Sequence, residues 1–244
     1  QTERVFTSHA AKGGAVDSID ILAGLPGGLV FTQADAGKTF AYEVRESTGG
    51  GAGYTNDQTV YGVSISVADD GAGTLTVTTT VTGAAEGEKT YVYTSGQAAE
   101  EVEPVVLPFV NSYAAQGDVS IATSKVLHGR PLEAGEFSFE LRTGDGAAGS
   151  SEVIAHAENA ADGTVDFGTI EFTLDALADA VNKGYATRDA QGIWHVRYTA
   201  VEIVDGLPDG VSATTQSLSF EVSVEDKGDG TLAATVQGLD GHSF

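Results

Sequence analysis

The sequence predicts an all-β protein built as two consecutive sandwich-type units. Three observations carry that prediction. Short runs alternate apolar and polar residues, as in Tyr61, Val63, Ile65 and Val67 or Phe137, Phe139 and Leu141. Thirty-two glycines among 244 residues, with abundant Thr, Val and Ser, suit short strands joined by tight turns. Finally, the pattern recurs along the chain. Glu46 in FAYEVRE corresponds to Glu202 in VRYTAVE, an offset of 202 − 46 = 156. Val67 before DDGAGTL corresponds to Val224 before the EDKGDGTL turn, an offset of 224 − 67 = 157. A near-constant offset of that length marks an internal repeat of whole domains.

Residues 1–22 alternate weakly (Val5, Val16, Ile19, Ile21), which predicts one or two strands around Gly13–Gly14. Leu29, Val30 and Phe31 read as another strand, and Ala36-Gly37-Lys38 as a turn. In FAYEVRE (40–46) Phe40, Tyr42, Val44 and Glu46 share a face, which places a carboxyl at an inward position. A glycine-rich loop (49–53) leads to a strand over 61–67. DDGAGT (69–74) signals a hairpin, and Leu75, Val77, Thr79 and Val81 form its return strand. The acidic 84–103 region, with Tyr91 and Tyr93, reads as a strand plus loop.

The second half begins near Gly117. EFSFEL (136–141) alternates cleanly, with Phe137, Phe139 and Leu141 inward. Residues 153–157, 165–167 and 170–172 are further short strands. The β pattern breaks once: in LDALADAVNK, Leu174, Leu177, Ala178 and Val181 fall at helical spacing before Gly184. This predicts a short helix inserted outside the second sandwich core. In WHVRYTAVE (194–202), Trp194, Val196, Tyr198, Ala200 and Glu202 share a face. LSFEVSVEDKGDGTLAATV (218–236) repeats the strand, turn and strand of the first half.

Composition limits the function. Lys plus Arg number 12 and Asp plus Glu 35, giving 12 − 35 = −23. A surface this acidic argues against nucleic acid or an anionic membrane as partner, because both need basic patches. No apolar run approaches the ~20 residues of a membrane span. The chain has no cysteine, so covalent bracing must come from elsewhere than disulfides. With no methionine at position 1 either, the expectation is a processed chain or a fragment. The histidines His128, His156 and His195 have no metal-ligand spacing, and the DDGAGT and EDKGDGT loops lack the full ligand series of a calcium loop. No metal or cofactor is expected. Nor does any nucleophile elbow support Ser–His–Asp catalysis.

Two polar residues sit on otherwise apolar strand faces. Asn111 shares a face with Phe109 and Tyr113, and Lys125 shares one with Val119, Ile121 and Leu127. Burying an amide or an ammonium among apolar neighbours is costly unless something compensates. A plainer account exists for each: a strand-end lysine can snorkel to water, an asparagine can cap a loop, and glutamates can decorate an edge strand.

These pieces together resemble the streptococcal pilin isopeptide-linkage domain family, Ig-like β-sandwich repeats of Gram-positive surface proteins related to the B-type collagen-adhesin repeat. The matching stretches are SKVLHGRPLEAGEFSFEL (124–141), AENAADGTVDF (157–167), FAYEVRE and YTAVE, the two hairpins and PFVNSY (108–113). In that family a first-strand lysine bonds to a last-strand asparagine, promoted by a glutamate of a central strand. The resemblance implies that Lys125 is the nucleophile and Glu202 the catalyst of the second unit. It likewise implies that Glu46 is the catalyst and Asn111 the electrophile of the first. The first unit's lysine and the second unit's asparagine are missing, and the helical insertion departs from the pattern. The expectation is a window across two repeats, with domains at 1–114 and 115–244, the first lacking its N-terminal strands and the second its last strand.

The chemistry fits these residue types. Lysine attacks only as a neutral amine, and burial disfavours charge on lysine and glutamate alike. A neutral acid can polarise the asparagine carbonyl and shuttle a proton to departing ammonia. The fold replaces a hopeless bimolecular encounter by holding the groups in contact. The product is one cross-link formed once, with no turnover, so the chain is not expected to be an enzyme. By analogy with a disulfide, such a link is worth roughly 2–4 kcal/mol.

The expected role is structural: a pilus or adhesin stalk at the Gram-positive cell surface, outside the cell and anchored to the wall through a region beyond these residues. Its partners would be neighbouring repeats of the same polypeptide or adjacent subunits. The rival is a host-ligand-binding adhesin module that uses the 174–195 insertion. A carbohydrate-active enzyme is a weaker rival, because the notable carboxylates lie on separate repeats.

Overall fold

A computed structural model describes residues 4–6, 18–21, 29–47, 50–85, 87–98, 101, 103–147, 151–213 and 215–244. The chain divides into two compact units. Gln1–Gly49 and Asn56–Ser112 form the first; Gly50–Thr55 and Tyr113–Phe244 form the second.

The first unit contains an antiparallel sheet of β1 (Thr39–Arg45), β3 (Val60–Asp69), β4 (Leu75–Thr82) and β5 (Lys89–Thr94), hydrogen-bonded in that order. The two-residue strand β2 (Tyr54–Thr55) belongs to the second unit, and β6 (Ser112–Tyr113) lies where the chain passes from one unit to the other. The alternation in β3 orients its core face: Tyr61, Ile65 and Val67 are buried. The DDGAGT segment closes the β3–β4 hairpin, with Asp69 opposite Leu75 and Asp70 Oδ1 accepting the N–H groups of Ala72 and Thr74. Side-chain acceptance of that kind is why aspartate favours turns.

The strand expected over Leu29, Val30 and Phe31 is absent. The chain turns instead into a 3-10 helix at Gln33–Asp35, with Asp35 Oδ2 accepting the N–H of Thr32 at 3.0 Å. Reciprocal capping between Thr32 and Asp35 outweighs three apolar residues with no neighbouring strand to pair with. Of the strands expected within 1–22, Val16 and the Gly13–Gly14 turn lie outside the described residues. Val5, Ile19 and Ile21 are described and are not in strands.

In the second unit, β7 (Gln116–Ser124) pairs antiparallel with β10 (Thr164–Thr173). A larger sheet has the order β14 (Leu232–Gln237), β13 (Ser217–Asp226), β12 (Trp194–Glu202), β8 (Ser138–Thr143), β9 (Val153–Glu158), and the short β11 (Ala186–Arg188) pairs with β12. The two sheets enclose one core. Ile121, Phe137, Phe139, Leu141, Val165, Val196, Ala200, Val222 and Val224 are its fully buried centre. Gly117 allows the closest approach between sheets: a Cβ there would lie 1.9 Å from the Leu232 carbonyl oxygen. Residues 165–167 and 170–172, expected as two strands, are one strand with a bulge between Asp166 and Thr169, where Gly168 takes a positive φ.

The inserted helix α1 (Leu174–Asn182) forms where its spacing predicts, with Thr173 Oγ1 accepting the Ala176 N–H at 3.1 Å as N-cap. Its inward face differs from the expected one. Leu177 and Ala180 are buried and Leu174 packs beside them, whereas Ala178 and Val181 face solvent. The helix therefore contributes to the core of the second unit and does not stand outside it.

Strand pairing reproduces the sequence repeat. Val44 of β1 faces Tyr61 of β3, and Ala200 of β12 faces Leu218 of β13. Both glutamates follow these pairs by two residues, at the end of a strand bonded to the long hairpin.

Candidate functional site

The Lys125 half-site forms where β7 runs out. The Lys125 N–H donates to Gly163 O at 2.7 Å, and the Val126 N–H donates to Phe244 O at 2.9 Å. Gly163 has φ +90°, and a Cβ on it would lie 2.6 Å from Lys125 O, so only glycine fits this clasp. The lysine side chain turns inward. Its Nζ lies 2.5 Å from Glu202 Oε1 and 4.5 Å from the centroid of the Phe137 ring. The Lys125 side chain is 6% exposed and that of Glu202 0%.

Glu202 reaches this place through the strict alternation of β12, which buries Trp194, Val196, Tyr198, Ala200 and Glu202 on one face. Its second oxygen, Oε2, is buried without a hydrogen-bond partner. A buried acceptor left open is expensive, so the pocket has room in its chemistry for one more donor.

In the first unit, Asn111 and Glu46 meet at Asp57. Asn111 Nδ2 donates to Glu46 Oε1 at 2.6 Å. The main-chain N–H of Asp57 donates to Asn111 Oδ1 at 2.8 Å and to Glu46 Oε2 at 3.0 Å. A main-chain N–H can only donate, which fixes the amide's orientation: oxygen toward Asp57, nitrogen toward Glu46. The segment before Asn111 is tied down by Tyr61, whose hydroxyl donates to Pro108 O at 2.5 Å and whose ring meets Phe109 edge-on at 5.2 Å.

This half-site departs from expectation in two respects. Asn111 is exposed and Glu46 only half-buried, where strand alternation placed both inward. Glu46 also meets the amide at its nitrogen and not at its carbonyl oxygen.

Lys125 and Asn111, 14 positions apart in sequence, are thus engaged with different glutamates. Sequence reading missed Phe137, Gly163, Asn159 and Asp57. Asn159 is buried; its Oδ1 accepts the Phe137 N–H at 2.8 Å and its Nδ2 donates to Glu133 O at 2.7 Å, so it fixes the segment that presents Phe137 to Lys125. The signal was the AENAADGTVDF run itself, whose single-residue contributions are invisible without the partners. Among the described residues no cluster of side chains is arranged to hold a metal ion.

A family model, the Spy0128-like isopeptide containing domain (FctA), matches residues 3–114 and again 121–244. The chain belongs to this family. It carries two FctA copies in tandem, both mostly β, with the short helix in the second. Spy0128-like isopeptide domains are typical of Gram-positive pilins and surface proteins. No curated protein and no solved structure matches the chain at a significant level. No helix among the described residues is long and apolar enough to cross a membrane.

Proposed function

We propose that the two FctA copies, at 1–114 and 115–244, are load-bearing repeats of a Gram-positive cell-surface stalk, each locked by a Lys–Asn isopeptide bond that it forms itself. One observation carries the reading: the two half-sites complete each other. The second copy joins a buried lysine to Glu202 and leaves Glu202 Oε2 open. The first copy joins an asparagine amide to the equivalent glutamate, Glu46, through its nitrogen. Placed on one glutamate, the two arrangements bring an amine and a carboxamide to a single carboxyl group.

The roles follow. Lys125 supplies the nucleophilic amine and Asn111 the electrophilic carboxamide, while Glu202 and Glu46 take the amine's proton and deliver it to the departing nitrogen. Each half-site takes its complement from another segment of the same polypeptide or from an adjacent subunit. In the second copy, the chain at Ser243–Phe244 already runs parallel to β7 beside Lys125, through the Ser124–Ser243 bridge.

Tandem mass spectrometry of the natural polypeptide, as isolated from its cell, tests the proposal. Lys125 is expected in a branched peptide joined to an asparagine with loss of ammonia. Recovery of Lys125 only in linear peptides would overturn it.

A further inference from the structure

Asp57 stands where the first copy's glutamate and asparagine meet, and the roles above make no use of it. Its two ends face different partners. The main-chain N–H points at Asn111 Oδ1 and Glu46 Oε2, at 2.8 and 3.0 Å. Its carboxylate grips the chain on either side: Oδ2 accepts the Val110 N–H at 2.7 Å and Oδ1 the Thr59 N–H at 2.8 Å. Hydrogen bonds from the Thr59 side chain, then from the Val110 and Thr59 main chain, hold the Asp57 carboxyl below the usual carboxylate range. The grip on Val110 fixes the residue next to Asn111.

We infer that Asp57 is a second working part of this site: its main-chain N–H stabilises the charge that develops on Asn111 Oδ1, and its carboxylate holds Asn111 in register for that contact. The inference rests on the isopeptide reading of Glu46 and Asn111 and adds an oxyanion donor to it. When a neutral primary amine adds to Asn111 Cγ, a C–N bond forms and the carbonyl π pair moves onto Oδ1. A proton then passes from the amine through Glu46 to Nδ2. The Cγ–Nδ2 bond breaks, the carbonyl re-forms and ammonia leaves. Negative charge resides on Oδ1 only between these steps. Glu46 lies on the nitrogen side of the amide, so it cannot serve that oxygen. The Asp57 N–H is already aimed there and needs no reorganisation, the condition under which such donors act most strongly. The N–H is the catalytic group; the carboxylate is a positioning group.

The exposure of Asn111 makes the test direct, because a small amine reaches it. The 244-residue chain is incubated with hydroxylamine at neutral pH, and peptide mapping follows hydroxamate formation at each asparagine. Asn111 is expected to react faster than the exposed Asn182, and Glu46→Gln to remove that excess. Asp57→Ala should slow Asn111 on the order of 10- to 100-fold. Asp57→Asn keeps an oxygen acceptor and should restore most of the rate. Val110→Pro removes the N–H that the carboxylate holds and should reproduce the Ala loss through a residue whose side chain faces solvent. If Glu46→Gln slows Asn111 but Asp57→Ala and Val110→Pro leave it at the wild-type rate, the Asp57 inference falls and the isopeptide reading stands. If Asn111 reacts no faster than Asn182, or Glu46→Gln changes nothing, that reading of the first copy fails and the Asp57 inference with it.

Discussion

Lys125 and Glu202 form a charge-capable pair inside an apolar core, and removing one partner is costlier than removing both. In the unlinked chain, Glu202→Ala strands an amine beside Phe137. It should lower stability by about 3–5 kcal/mol in denaturant unfolding. The double substitution Lys125→Met with Glu202→Leu removes both polar groups and should regain most of that loss. A double variant no more stable than Glu202→Ala would show that the pair is not what the site depends on. A second residue-scale device lies on the outer face of the same sheet. His195 Nδ1 meets Glu221 Oε1 at 2.7 Å and Nε2 meets Asp189 Oδ2 at 3.2 Å. The hydrogen bonds to Glu221 and then Asp189 raise its pKa above 6.5. A raised folded-state value means the contribution is complete below the unfolded value and is lost as pH rises through the folded one. The thermal midpoint should therefore fall as pH climbs above about 6.5, and His195→Gln should flatten that slope. Equal slopes in both proteins would remove the histidine from the account.

At the scale of elements, the half-sites depend on how strands end. β7 stops at Ser124, and the next residue is turned inward by a main-chain bond to the Gly163 turn. Gly163→Ala combines a strained positive φ with a clash on Lys125 O. It should cost about 1–3 kcal/mol and displace the lysine from Glu202. Thermal unfolding gives the first effect, and the yield of the Lys125 cross-link in the natural polypeptide gives the second. Undiminished yield in a destabilised variant would separate the clasp from the chemistry. Helix α1 bears on the rival adhesin reading in the same way. Because Leu177 and Ala180 are part of the core, the insertion cannot be cut out as a loose appendage, and deleting it would test folding before binding.

For the whole molecule, the two polar pairs lie in different copies. Lys125 is held by Glu202 in the second unit and Asn111 by Glu46 in the first, so no bond between Lys125 and Asn111 should form within these 244 residues. A digest of the isolated chain should contain no peptide pair joining the two with loss of ammonia. Finding one would overturn the assignment of the halves to separate copies. The net charge of −23 gives the surface a single dominant sign, which keeps such a chain soluble.

The repeat was legible in the sequence because it is a property of spacing. Offsets of 156 and 157 between the glutamate strands and between the hairpins reappear unchanged in the pairing of Val44 with Tyr61 and of Ala200 with Leu218. Alternation likewise determined which face of β12 turns inward, since side chains on a strand have only two directions to choose from. Turn chemistry placed both hairpins. What depended on partners distant in sequence was decided only in three dimensions. Leu29–Phe31 is not a strand; the chain turns there into the 3-10 helix capped by Thr32 and Asp35. The helix chose Ala180 over Ala178 because the core lies on that side. Asn111 is exposed, although its alternation pointed it inward. Asp57, Asn159 and Gly163 act through contacts to main-chain or amide groups 22 to 54 positions away, and local pattern carries no record of such contacts.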